Sequence, residues 1–247
     1  MSIETADLIK NPASVAPLLK VDNLHGWYGE SHVLHGMTFE VAPGEVITLL
    51  GRNGAGKSTT LKAIMGILAR RRGSILFDGQ ETAKMSSCSI GRLGIGYVPE
   101  DRGIFASLSV KENLLLPPVV RAGGMSLEHI YKLFPNLLER IGSQGKKLSG
   151  GEQQMLAIGR VLRTGARLLL LDEPTEGLAP VIIDQIGAII ARLKQDGFTI
   201  VLVEQNFRFA ASLADRHYVV EQGRVIDMID ADAVAANSDK LHAYLGV

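Results

Sequence analysis

Nine consecutive residues, GRNGAGKST from Gly51 to Thr59, bring together the types that grip phosphate. They fit the spacing G-x-x-x-x-G-K-[ST]. Gly51, Gly54 and Gly56 let a backbone approach an anion closely and turn its N–H groups onto phosphate oxygens. Asn53 and Ala55 complete the loop between them. Lys57 supplies a cation for the β- and γ-phosphates, and Ser58, followed by Thr59, supplies a hydroxyl for Mg²⁺. A chance glycine turn would look the same in isolation. The apolar run VITLL before it and the helical spacing after it are the context that the motif demands.

Two further stretches carry chemistry. LLLLDEP, Leu168 to Pro174, reads as a buried strand ending in two carboxylates. Asp172 is placed to reach Mg²⁺, while Glu173, one residue on, points elsewhere and could orient or deprotonate an attacking water. A strand that merely ends in solvated acids is the alternative. LSGGEQQ, Leu148 to Gln154, opens a helix. Ser149-x-x-Glu152 is a capping-box pattern, so a well-capped helix is its simplest explanation. The paired glycines Gly150 and Gly151 also leave N–H groups bare at a helix N-terminus, which makes a second anion site. VLVEQNF, Val201 to Phe207, is an apolar strand that stops on Glu204, Gln205 and Asn206.

Elements must hold these groups together. Leu18 to Val21 and Met37 to Val41 read as short strands, and Val46 to Leu50 as a buried one. A helix is expected from about Ser58 to Leu68. Arg70, Arg71 and Arg72 read as a solvated turn after it. GSILFDGQ suggests a strand running into an Asp-Gly turn, and GIGYVP another strand, stopped at Pro99. From about residue 100 to 147 the pattern changes to prolines and amphipathic pieces such as LEHIYKLFPNLLERI, which indicates a helical insertion. Strands then return in RLLLLDE, FTIVLVE and RHYVVEQGRVIDM. Between the first two, apolar residues at 182, 183, 186, 189, 190 and 193 have helical spacing, with Pro180 before and Gly197 after. Strands alternating with helices imply an α/β fold with a largely parallel sheet.

The totals narrow the class. The chain has 247 residues, 46% of them hydrophobic, enough for a sizeable core. Lys and Arg number 26, as do Asp and Glu, so no basic footprint for nucleic acid emerges. The single cysteine, Cys88, excludes an intrachain disulfide and fits a reducing compartment. The six histidines form no metal motif. No apolar run reaches a membrane span. Residues 1–17 lack the features of a secretory signal and read as a flexible tail, leaving residues 18–247 as one domain.

The three motifs in this order resemble the nucleotide-binding subunits of ABC transporters, of which LSGG is the signature. The resemblance runs from Leu18 to Val247. It implies a P-loop NTPase core with a largely parallel sheet, an N-terminal antiparallel β portion and an inserted α-helical subdomain over residues 100–147. It implies an ATPase with ATP and Mg²⁺ as ligands, acting as a head-to-tail dimer. Ser149, Gly150 and Gly151 of one protomer would close on the γ-phosphate held by the other. Lys57, Glu173 and Gln205 would be catalytic, and Ser58, Asp172 and Glu100 would stand at the metal. Tyr28 matches the aromatic that stacks on adenine; a packing role beside Trp27 is the alternative, and Trp27 could share the stacking.

Departures from the family pattern sharpen the resemblance. Glu100 stands where Gln is usual, and Ala179 where an Asp usually meets the partner protomer. Gln205 and Asn206 replace a γ-phosphate-sensing His and the Asp after it. Gln cannot titrate as His does, so hydrogen bonding without a charge change is expected there. With VPEDRGIF, LFPNLLERI, GLAP and the terminal AYLG, the chain is similar to the LivF-like branch, one of two ATPases of branched-chain amino acid importers. The implied partners are transmembrane permease subunits, a second, LivG-like ATPase (or a second copy of this chain) and, indirectly, a periplasmic binding protein. The implied location is peripheral, at the cytoplasmic face of the plasma membrane, with the permease received near Glu100 to Phe105. A urea or amide importer ATPase, a soluble ABC ATPase and a nucleotide-gated subunit with little turnover are the rival readings.

Overall fold

The computed structural model describes residues 16–237 together with Lys240, Leu241 and Tyr244. The expected tail thus lies outside the described residues except for its last two positions, as does AYLG except for Tyr244. In chain order the elements are β1 (Leu19–Tyr28), β2 (Ser31–Val41), β3 (Val46–Leu50), α1 (Lys57–Ile64), β4 (Arg70–Phe77), β5 (Gln80–Glu81), α2 (Ser87–Arg92), β6 (Ile95–Val98), α3 (Val110–Leu115), α4 (Leu127–Leu133), α5 (Pro135–Glu139), α6 (Gly150–Arg163), β7 (Leu168–Asp172), α7 (Pro180–Gln195), β8 (Thr199–Glu204), α8 (Phe207–Ala211), β9 (Arg216–Glu221) and β10 (Arg224–Asp230).

Two sheets organise them. One is antiparallel, in the order β2-β1-β4-β5; the other runs β10-β9-β3-β8-β7-β6. In the second, β9, β3, β8, β7 and β6 are mutually parallel and only β10 is antiparallel. The continuous apolar runs follow from burial on both faces. Along β7, Leu168 and Leu170 enter the core shared with the antiparallel sheet and α1, while Leu169 and Leu171 enter the core built with α6 and α7. Along β8, Val201 and Val203 face the first core, Ile200 and Leu202 the second. The chain between β6 and β7 is built from α3, α4, α5 and α6, in keeping with the helical pattern expected there.

Three local expectations are corrected. β1 and β2 are long strands joined at Gly29 and Glu30. Register shifts after Val21, Leu24 and Gly26 break the period-2 alternation by which strands are read from sequence. α1 ends at Ile64, because Gly66 at φ +70° turns the chain out of the helix. The arginine triplet opens β4 instead of forming a turn: Arg70 lies over the Trp27 ring at 5.0 Å, and Arg71 donates to the carbonyls of Leu68 and Met85.

Candidate nucleotide site

Parallel register delivers several strand ends to one edge. Leu50 pairs with Glu204, and Asp172 with Val203, so the loops after β3, β7 and β8 leave the sheet side by side. This C-terminal edge is where open α/β sheets bind ligands. A cavity of about 380 Å³ opens there, lined by Val33, Asn53, Gly54, Gly56, Lys57, Ser58, Thr59, Glu100, Glu173, Glu176 and Gln205.

The loop between β3 and α1 forms its floor. A Cβ on Gly51 would come within 2.2 Å of the Val220 carbonyl oxygen, so no side chain fits. Gly56 has φ +103°, in the left-handed region that favours glycine, and caps α1 without a side-chain hydrogen bond. The turn joining β9 to β10 seals the outside of the loop: Gly223 N–H donates to Ala55 O at 2.8 Å, and His35 N–H donates to Gly223 O at 2.8 Å. Of the motif residues, Asn53, Gly54 and Gly56 to Thr59 line the opening, while Gly51, Arg52 and Ala55 do not. Lys57 is buried. Its Nζ donates to the carbonyls of Gly51 (2.7 Å) and Arg52 (3.1 Å) and stands 3.8 Å from Glu173 Oε1. Burial lowers its pKa against the opposing pull of Glu173, Asp172 and Glu204.

The carboxylates differ sharply. Asp172 lies behind the cavity, 1% exposed; its Oδ2 accepts from Tyr97 O–H at 2.9 Å, and its Oδ1 has no hydrogen-bond partner. Glu173 sits at φ +47°, strained for a non-glycine residue, and this turns its side chain toward the cavity. Its Oε2 accepts from Gln205 Nε2 at 2.7 Å. Burial, reinforced by the hydrogen bond that the protonated Glu173 carboxyl donates to the Glu176 side chain, raises the Glu173 pKa to about 7, against the pull of Gln205 and Lys57.

With Glu100, Glu173 and Glu176 facing one lysine, the cavity is acidic, and a polyphosphate entering it needs a cation. The residues fit Mg²⁺. The orphaned Asp172 oxygen, the Ser58 hydroxyl and the Glu100 carboxylate are hard oxygen donors, the set this ion takes alongside substrate phosphates. Among the described residues no group of three or more His, Cys, Asp or Glu is arranged to hold a metal alone. The ion would therefore depend on the phosphates as well.

Not every expected residue converges. Tyr28 is 48% exposed and does not line the cavity. Trp27 does not line it either. It lies on the other face of β1, stacked on His32 with ring centroids 4.4 Å apart. Ser149, Gly150 and Gly151 begin α6 and are absent from the cavity wall. The capping box is present: Ser149 Oγ accepts from Glu152 N–H, and Glu152 Oε2 accepts from Ser149 N–H. Four contributors were not anticipated. Val33 reaches the cavity because it is the extra residue between the pairs Gly26–Leu34 and Trp27–His32, a bulge. Glu176 follows from the turn after Glu173. Tyr97 and Glu204 act through partners 75 and 29 residues away, which no local pattern encodes.

Known proteins place this geometry. The sequence profile described as "ABC transporter" matches residues 34–176. The chain is 43% identical to the high-affinity branched-chain amino acid transport ATP-binding protein BraG of Pseudomonas aeruginosa, over 93% of this chain and all of that protein. It is 32% identical to the lipopolysaccharide export system ATP-binding protein LptB of Escherichia coli K12, over 92% and 97% of the two chains. A dimeric bacterial ABC transporter cassette superposes with a TM-score of 0.75 at 26% identity, covering 86% of this chain and 98% of that one. With the phosphate loop, the paired carboxylates and the signature helix in place on this α/β fold, the chain belongs to the ABC transporter family as an ATP-binding, ATP-hydrolysing subunit.

Proposed function

We propose that the chain powers import of branched-chain amino acids, hydrolysing ATP while docked on separate membrane permeases. The carrying observation is the contact of Glu173 with both Lys57 and Gln205 on one cavity wall. Free N–H groups at the start of α1 and the Lys57 ammonium bind the β- and γ-phosphates. Ser58, Asp172 and Glu100 would hold Mg²⁺ together with the phosphates, where it would supply the positive charge that the acidic cavity lacks. A water held by Glu173 attacks the γ-phosphorus; its proton passes to the Glu173 carboxylate, and the bond to the ADP oxygen breaks with its electron pair. Gln205 holds the carboxylate in place. A pKa near 7 keeps Glu173 basic enough to take that proton at neutral pH.

The signature residues Ser149, Gly150 and Gly151 complete the site from a partner protomer, either a second copy or a related ATPase, and Tyr28 stacks on the base. No helix among the described residues is long and apolar enough to cross a membrane; in the proposed assembly the chain is peripheral, docked at the cytoplasmic face of its permeases. The full-length similarity to BraG supports the solute class. ATP-driven uptake of labelled leucine into vesicles carrying the chain and its permeases is the test, with Glu173→Gln as control. Leucine uptake that vanishes with Glu173→Gln supports the reading. Uptake of urea alone, or co-purification with a lipid-export complex, overturns the solute; wild-type hydrolysis by Glu173→Gln overturns the assignment of the base.

A further inference from the structure

Glu204 ends β8 beside Gln205, and it is 2% exposed. A carboxylate so buried is costly unless its oxygens are satisfied. Both are. Oε1 accepts from Thr175 N–H (3.2 Å) and Thr175 Oγ1–H (2.7 Å); Oε2 accepts from the N–H groups of Gln205 (3.2 Å) and Asn206 (3.4 Å). All four donors are neutral. Burial pushes its pKa up, and these hydrogen bonds work against that rise.

The donors come from two different loops. Thr175 belongs to the turn after Glu173, whose own N–H donates to Val203 O on β8 at 3.0 Å. Gln205 returns its side-chain amide to Glu173 Oε2 at 2.7 Å. A closed circuit results: Glu173 carboxylate, Gln205 side chain, Gln205 backbone, Glu204 carboxylate, Thr175, and back along the chain to Glu173. That circuit encloses the one residue of the cavity wall with a strained non-glycine φ, +47° at Glu173. Such a conformation persists where its surroundings over-determine it.

We propose that Glu204 is a positioning residue that locks the Thr175 turn to Gln205, so that the Glu173 carboxylate and the Gln205 amide are presented to the nucleotide as one unit. This rests on the reading of Glu173 as the hydrolytic base. Glu204 touches neither cavity nor ligand; it acts on kcat through the geometry of its neighbours.

Steady-state ATP hydrolysis by the full-length chain tests this, with Thr175→Val, Thr175→Ser, Glu204→Gln, Gln205→Ala and the Thr175→Val/Gln205→Ala double variant. Thr175→Val keeps the shape and removes one donor to Glu204. We expect its kcat to fall about tenfold with KM for ATP within about twofold, and Thr175→Ser to restore kcat to within about threefold. Glu204→Gln turns an amide donor onto N–H donors and is expected to fall at least as far. If that variant does not fold, the Thr175 pair, which keeps the carboxylate, still decides. In the Gln205→Ala background Thr175→Val should cost less than about twofold more, because the linkage is already broken. The proposal is overturned if Thr175→Val leaves kcat unchanged, changes only melting temperature, or multiplies fully with Gln205→Ala. Loss of hydrolysis in Glu173→Gln beside a normal Thr175→Val would sink this inference alone; normal hydrolysis in Glu173→Gln would sink the underlying reading instead.

Discussion

Two helices of this molecule begin at glycine-rich turns, and they begin differently. α1 starts from Gly56, with no side chain closing its first turn. α6 starts from Ser149, with both halves of a capping box in place. At α1 the open donors face a cavity, and the buried ammonium of Lys57 stands beside them. At α6 a carboxylate already occupies the N-terminus, and Arg140 adds an ion pair to Glu152 at 3.4 Å. Anion affinity at a helix start depends on what the protein leaves unsatisfied there, more than on its glycines. On the function proposed above, α1 holds phosphate by itself. α6 is finished as a structural helix and offers only its first N–H groups to a phosphate brought from outside.

The largest effect that follows is at α1. Lys57→Ala should weaken ATP binding by about a hundredfold, the loss of a charge-assisted contact worth about 2–3 kcal/mol, as read by titration with a fluorescent ATP analogue. Unchanged affinity would mean that α1 and α6 do not differ in this way. At α6, Gly150→Asp should leave ATP binding to the isolated chain intact and weaken ATP-dependent association at least about tenfold, through like charge against phosphate. A Cβ on Gly150 would meet Arg102 Nη2 and Leu178 Cδ2 at 3.3 Å, a tight fit, so Gly150→Ala is the control that separates sterics from charge. Size-exclusion chromatography with and without ATP, in the Glu173→Gln background, would detect it.

The two glutamates near these starts have opposite pH signatures. Burial raises Glu173 to about 7. Burial also pushes Glu152 up, but hydrogen bonds from Ser149 and the Arg140 charge outweigh it and leave the pKa lowered. A raised carboxyl binds more protons folded than unfolded, so Glu173 costs stability progressively as pH rises from about 4.5 to about 7. Glu152 contributes stability above its unfolded value and loses it as pH falls through its lowered folded value. Replacing Glu173 by Gln should therefore stabilise the nucleotide-free chain by about 1 kcal/mol above pH 7 and negligibly near pH 4.5, measured by urea denaturation at both pH values. The smallest change is Ser149→Ala. Loss of the cap should cost about 1 kcal/mol, a drop of about 2–4 °C in Tm, with ATP affinity of the isolated chain unaltered.

The site was legible in the sequence where it is local. Gly51 to Thr59, Asp172 and Glu173 declare themselves by type and spacing within a few residues. Asp172 needs only an apolar strand before it. Glu204 was visible as an odd polar stop, but its partner Thr175 becomes a neighbour only when β8 pairs with β7. Val33 reaches the cavity through a bulge whose cause lies in the pairing partner. The fold shows the same division. Helix α7 follows from its periodicity and the buried strands β3, β7 and β8 from their continuous apolar runs, whereas β1 and β2 read too short because their register shifts erase the alternation. The arginines of β4 read as a turn because their stabilising contacts, the Trp27 ring and the carbonyls of Leu68 and Met85, are tertiary.

β3, which carries the phosphate loop, lies between β8 and β9. Neither neighbour is near it in the chain: one spans Thr199–Glu204 and the other Arg216–Glu221. A polypeptide leaving the ribosome therefore exposes Val46 to Gly56 long before the strands that flank it exist, and the seal by Gly223 comes later still. Affinity for nucleotide becomes a late property of synthesis, and ATP capture reports that the chain has been made and folded at least through Gly223. An interrupted product that stops before β8 would carry every residue from Gly51 to Thr59 and still present them on an unpaired strand, a target for proteolysis and aggregation and not a small ATPase.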